Sequence, residues 1–264
     1  MAERLTSTTN PRIKALARLR ERKGRVAAGR FLIEGHRELT RAADASIPIL
    51  EVVLAPELAA PRDLSLVERL AVDGAEVVEV GRAAFEKLSF RRHPDGVLGV
   101  ALSTPLALGD LEVGNPAFVL VLDGIEKPGN LGGIIRSADA AGVDAVILVE
   151  PRCEAINPST IRASQGSVFS LPICTADAAE TNTWITHRGL HVVAASPEAT
   201  TALWDADLTG DIAAVVGAEA EGIGPVFRSP DTTVRIPMAG TADSLNASVS
   251  AGILLFEVVR QRSL

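Results

Sequence analysis

The chain has 264 residues, 47% of them hydrophobic, and a formal charge of −7. That is enough apolar content for one large domain or two modest ones, and no run approaches the roughly 18 uncharged apolar residues of a membrane span. The two cysteines, Cys153 and Cys174, exclude a disulfide framework and have no second Cys or His at metal-ligand spacing, so reduced core thiols and no metal are expected. The start, Met-Ala-Glu-Arg, has no apolar stretch behind a basic segment, so cytoplasm is the expected compartment.

Residues 1–41 carry eleven Lys and Arg against four Glu, a local +7 that leaves −14 for the remainder. Such asymmetry fits a chain whose one end meets a polyanion, although a solvated amphipathic helix would look the same. From Asn10-Pro11, the residues Ile13, Leu16 and Leu19 recur at three-residue spacing with cations between them, which predicts an amphipathic helix with a basic polar face. A short apolar piece (30–33) and a helix through Ala45 follow. Strands are expected at 49–54, 75–80 and 97–102, with helical pieces near 62–72 and 82–88. Residues 1–103 therefore read as a small α/β unit, and Ser103 to Pro116, with two prolines and two glycines, as a linker spanning 104–116.

From 117 onward strands and helices alternate. Strands are expected at 118–122, 145–149, 168–172, 191–195, 212–216 and 233–236, and helices at 130–141, 158–164, 176–187 and 246–262. This pattern predicts a parallel sheet with helices on both faces. The last helix is apolar almost all round and small in its first turns (Ala247, Ser248, Ser250, Ala251, Gly252), which predicts cover on more than one side and suggests a homodimer interface, with burial inside a single chain as the alternative.

Three polar segments fall at strand-to-helix junctions, where open α/β sheets bind ligands. They are Asn130-Leu-Gly-Gly-Ile-Ile-Arg136, Gly217-Ala-Glu219-Ala-Glu-Gly222 and Ser244-Leu-Asn246-Ala-Ser248. Each has a plainer explanation. Asn130 and Asn246 could be helix caps, Glu219 a loop charge, and Arg136 a surface residue. The glycines do not fit G-x-G-x-x-G, and Asp144 comes too early for a ribose-binding acid, which speaks against a nicotinamide-dependent oxidoreductase.

Taken together and in this order, Asn130-x-Gly132-x-x-x-Arg136, Gly217-x-Glu219-x-x-Gly222 and Ile236-Pro-Met238-x-Gly240-x-x-x-Ser244-Leu-Asn246-x-Ser248 resemble the three signature motifs of the SpoU family of RNA ribose 2′-O-methyltransferases. The resemblance spans 117–262. It departs at Ala218, where Asn is common, and at Ala247, where Val is common. Phe31-Leu-Ile-Glu34-Gly35 and His93-Pro-Asp-Gly96 more loosely resemble the small RNA-binding domain of many members.

The resemblance implies a fold that composition does not show, an α/β chain whose C-terminal parallel-sheet domain is tied in a trefoil knot behind a smaller α/β RNA-binding domain. It implies S-adenosylmethionine held by Ala195, Gly217, Ile236, Met238 and Leu245, for which core packing is the plainer role. It also implies Arg136, Asn130, Glu219, Ser244 and Asn246 as the catalytic set and no metal. Arg12, Lys14, Arg18, Arg22, Lys23, Arg25 and Arg30 are then expected to meet structured RNA, most plausibly 23S ribosomal RNA. Transfer RNA, or a non-catalytic RNA-binding protein on the same fold, are the alternatives. With no Tyr, seven Phe and two Trp, recognition is expected to rest on RNA shape and backbone.

Overall fold

The computed structural model describes residues 4–219 and 221–263. Contacts divide the chain into two compact units. The first holds the chain up to Thr104 together with Ile156–Ser170, and the second holds Pro105–Ala155 and the chain from Leu171 onward.

In the first unit the basic stretch forms two short helices, α1 (Pro11–Arg18) and α2 (Arg22–Ala28). The Asn10 side chain caps α1 by accepting from the Arg12 N–H, and Pro11 presets the first-turn φ. Ile13, Leu16 and Leu19 are all buried, so the spacing read from sequence is the core face. There follow β1 (Arg30–Glu34), α3 (His36–Asp44), β2 (Ile49–Leu54), α4 (Pro61–Val72), β3 (Glu76–Glu79), α5 (Arg82–Leu88) and β4 (Val97–Leu102). The sheet order is β1-β4-β2-β3, with β4 antiparallel to both neighbours and β3 parallel to β2. Phe85 and Leu88 of α5 close the core against Leu32, Val53 and Leu98.

The second unit runs β5 (Phe118–Asp123), α6 (Pro128–Ala141) and β6 (Ala145–Val149). The chain then contributes α7 (Pro158–Ala163) to the first unit, where it packs on β1. It resumes with β7 (Ile173–Ala176), α8 (Ala178–Arg188), β8 (His191–Ala195), β9 (Thr201–Ala202), β10 (Ile212–Gly217), β11 (Thr232–Arg235) and α9 (Ala247–Arg262). The seven strands lie in the order β7-β6-β5-β10-β8-β11-β9, and every pairing is parallel. Strands in such a sheet are covered on both faces, which is why β5, β6 and β10 read as unbroken apolar runs.

Two expectations move. The strand expected at 168–172 lies at Ile173–Ala176, because Ser167–Phe169 forms a tight 3-10 turn behind Gly166 (φ 87°) and the extended pairing starts only after Pro172. The segment after Ser103 also carries core residues: Leu108 and Leu111 are buried in the second unit, and Leu106 bridges to Cys174. Among the described residues no helix is long and apolar enough to cross a membrane.

Candidate functional site

In a parallel sheet all strands end at one edge, so the loops after β5, β8, β10 and β11 converge there. A cavity of about 370 Å³ opens at that edge. Ala195 at the end of β8, Gly217 at the end of β10, Ile236 and Met238 after β11, and Leu245 before α9 all line it, as do Glu219 and Ser244. The five positions expected to hold a cofactor are thus brought to one wall from four separate segments. Most of the lining is apolar side chain, with Ser196, Glu219, Arg235, Asp243, Ser244 and Ser250 as its polar members.

The loop after β10 is a tight hairpin. Ala218 and Gly222 exchange two backbone hydrogen bonds (3.0 and 2.9 Å), and Gly222 sits at φ 66°. A Cβ on Gly217 would stand 2.3 Å from the Gly222 carbonyl, so only glycine lets the strand end fold back on itself. Asp123, buried at the end of β5, fastens the far side of the hairpin: its Oδ2 accepts from the Gly224 N–H at 2.7 Å.

Glu219 stands on this hairpin. Its carboxylate accepts from Asn130 Nδ2 and pairs with Lys127 Nζ at 3.0 Å. Asn130 Oδ1 accepts in turn from Asn246 Nδ2 (3.1 Å), and Asn246 Oδ1 accepts from the Ser248 N–H (3.0 Å) and hydroxyl (2.6 Å). Asn246 is therefore a cap of α9, as its plainer explanation held, and a link in the network as well. Asn130 is no cap: α6 starts at Pro128, and the Asn130 amide spends both its ends on other segments. Arg136 lies two turns on, exposed on α6, and neither it nor Ser244 makes a side-chain hydrogen bond to this group.

Residues 117–256, which carry every one of these groups, match the SpoU rRNA methylase family. The chain belongs to that family. Residues 10–99 match the MRM3-like substrate-binding domain. A 23S rRNA (guanosine-2′-O-)-methyltransferase, RlmB, of Ralstonia nicotianae is 44% identical over 167 residues, 62% of this chain and 67% of the relative. The crystal structure of an RNA 2′-O ribose methyltransferase superposes with a TM-score of 0.88 at 42% identity, over 99% of this chain and 100% of that one. The AdoMet-bound rRNA methyltransferase of Sinorhizobium meliloti superposes with a TM-score of 0.89 at 31% identity, over 98% and 97%.

The seven cations expected at the RNA in this SpoU family member divide into two kinds. Lys14, Arg18, Arg22 and Lys23 are exposed on α1 and α2. Arg12 is engaged with Glu51 and Glu76, both at 2.6 Å, and hydrogen bonding to Glu76 and then Glu51 pushes its pKa further up. Arg30 pairs with Glu51 at 3.4 Å. Arg25 is a correction. It is buried, and its Nη1 donates to the carbonyls of Leu19 (3.1 Å) and Arg20 (2.9 Å), satisfying the turn between α1 and α2.

Sequence reasoning passed over Asp123, Lys127 and Arg152. Arg152 follows β6 and reaches Glu126 on the loop before α6 and Glu221 on the hairpin (2.7 Å). These partners lie 26 and 69 residues away, beyond anything local spacing can report. The two cysteines are buried thiols as expected, each pushed up to about 11, first by burial and then by Glu154 beside Cys153 and Glu180 beside Cys174.

Proposed function

We propose that the chain methylates a ribose 2′-hydroxyl of large-subunit ribosomal RNA with S-adenosylmethionine. The observation that carries this reading is the cavity at the sheet edge, whose wall gathers Ala195, Gly217, Ile236, Met238 and Leu245 beside the Asn130–Glu219–Asn246 network. Its volume falls in the range of small-molecule sites, about 300–1,000 Å³, and its mostly apolar lining with a few polar side chains suits an adenosine with a short polar tail. Bound there, S-adenosylmethionine supplies an electrophilic methyl group.

The chain's own part is positioning and charge. Arg136 is exposed and has no carboxylate partner among the described residues, so its five donors are available for a target phosphate and for the oxygen as it gains charge. Arg136 acts as a clamp on the phosphate and on the developing oxyanion, and the proton that leaves the methylated hydroxyl passes to solvent water. Asn130, Asn246 and Ser244 orient the ribose, and Glu219 braces Asn130 against the hairpin. The exposed cations of α1 and α2 hold the RNA backbone. Acting on ribosomal RNA places the protein in the cytoplasm. The family's trefoil knot belongs to this reading, supported by the order β5-β10-β8-β11, in which the chain leaving β10 passes β8 before entering α9. So does a homodimer, supported by Val249 and Phe256, which lie seven residues apart on α9 and are each about half exposed (48% and 49%).

The test is transfer of labelled methyl from S-adenosylmethionine to unmodified 23S rRNA and, separately, to bulk tRNA, followed by alkaline hydrolysis. An alkali-resistant dinucleotide from 23S rRNA alone is expected. Label in tRNA alone would move the substrate class, and no label in either would remove the enzyme reading. Arg136→Lys is expected to bind S-adenosylmethionine normally while losing most turnover, and near-normal turnover would end the clamp assignment.

A further inference from the structure

The first unit holds a second recess, of about 560 Å³, lined by Ala17, Arg20 and Glu21 at the α1–α2 turn, Lys87 and Phe90 after α5, and Asn157, Pro158 and Ser159 before and in α7. Arg20 is exposed, and its guanidinium lies over the half-buried Phe90 ring, 5.1 Å from the centroid, while Nη1 donates to the Lys87 carbonyl at 2.9 Å. That bond uses one of five guanidinium donors. Lys87 Nζ gives one of its three donors to the Thr8 carbonyl (2.8 Å).

Phe90 is held in place from below. The buried Glu34 carboxylate accepts from the Phe90 N–H (2.6 Å) and from the Ser89 hydroxyl (2.5 Å). Arg91 turns inward to Glu38 (3.1 Å), Asp95 (2.5 Å) and the Glu34 carbonyl (3.0 Å). Its neighbour Arg92 is left exposed. A buried carboxylate and an inward arginine thus hold a short loop that presents one aromatic ring with a guanidinium over it. Planar guanidinium groups and aromatic rings are the surfaces on which proteins stack unpaired RNA bases.

We propose that this recess receives one unpaired nucleotide of the RNA substrate, its base stacked on the Arg20–Phe90 pair and its phosphate held by Lys87 and Arg20. Glu21 disfavours phosphate on its own side and accepts from base amino groups; Asn157 Oδ1 caps α7 by accepting from the Ser159 N–H (2.9 Å), which leaves the Asn157 amide N–H groups and the Ser159 hydroxyl for the base edge. The site rests on the rRNA methyltransferase reading, and it adds a base-reading element to a surface that otherwise contacts only backbone.

The experiment compares affinity for unmodified 23S rRNA with affinity for a blunt, fully paired RNA duplex. Phe90→Leu and Arg20→Gln are each expected to weaken rRNA binding about ten-fold, the scale of one stacked base. Duplex affinity and S-adenosylmethionine affinity should stay unchanged. Equal loss on both RNAs, or no loss on rRNA, overturns the proposal. A third variant guards against simple misfolding: Phe90→Trp keeps an aromatic face, and its added fluorescence, measured against wild-type Trp184 and Trp204, should be quenched by rRNA and not by the duplex. Binding of rRNA without quenching also overturns it. A wild-type protein that methylates rRNA while these variants behave like it loses the recess alone; a wild-type protein that neither binds nor methylates rRNA loses both readings.

Discussion

Asn130 is the residue on which the site's geometry turns, because its amide donates to Glu219 with one end and accepts from Asn246 with the other. Asn130→Asp removes the donor and sets a second carboxylate against Glu219. Turnover is expected to fall about a hundred-fold, the cost of a small misplacement near the reacting atoms, with S-adenosylmethionine affinity little changed; steady-state kinetics and cofactor titration on the same preparation check this. The cysteines give a pH prediction. Each thiol keeps its proton in the fold to about 11, while the unfolded chain loses it near 9. Between these values the unfolded state binds fewer protons, so stability should fall as pH rises from 9 to 11. Alkylation by iodoacetamide at pH 8 should be negligible until denaturant is added, and rapid labelling of the native protein would contradict the burial of Cys153 and Cys174.

At the scale of elements, the hairpin after β10 depends on backbone proximity. Gly217→Ala forces its Cβ against the Gly222 carbonyl, and an overpacked backbone contact of this kind costs about 1–3 kcal/mol. The expected result is a lower melting temperature together with at least a ten-fold weaker S-adenosylmethionine affinity, since Gly217 is also cavity wall. A variant with wild-type cofactor affinity would show that the hairpin does not shape the cavity. Helices α6 and α9 pack closely for a related reason. A Cβ on Gly133 would meet the Ser248 side chain at 3.2 Å, and one on Gly252 would meet Ser137 Oγ at 3.6 Å. The small residues of α9 that suggested a second molecule therefore serve an approach to α6 within the chain, and the dimer reading rests instead on the exposed Val249 and Phe256.

At the scale of the whole molecule, that apolar face carries the prediction about assembly. Phe256→Asp puts a charge where a partner would bury a ring, so the homodimer proposed above should become a monomer in sedimentation equilibrium with unchanged circular dichroism. A wild-type protein that is monomeric at every concentration tested would remove the homodimer from the reading. The polarity of charge along the chain belongs to this scale too. The +7 of residues 1–41 falls within the first unit, but Arg12, Arg25 and Arg30 are spent on Glu51, Glu76 and the carbonyls of the α1–α2 turn, so the RNA-facing charge is smaller than the count.

By itself the sequence determined most of the elements and their kind, though not the place of β7 or the short β9. Ile13, Leu16 and Leu19 marked a helix face, the unbroken apolar runs of β5, β6 and β10 marked buried parallel strands, and the polar residues at strand ends marked the edge where a site could form. Those are signals of local periodicity, and a chain's periodicity is fixed by residues a few positions apart. Only the tertiary structure decided that Asn130, Glu219 and Asn246 meet, although 89 and 116 residues separate Asn130 from its partners. It alone showed that Arg25 is a buried donor to the α1–α2 turn, that α7 belongs with the first unit, and that Arg152 ties Glu126 to Glu221. The reason is that hydrogen bonds and ion pairs act over a few ångströms of space, and the order of strands in a sheet, which brings such groups together, leaves no periodic trace in the residues themselves.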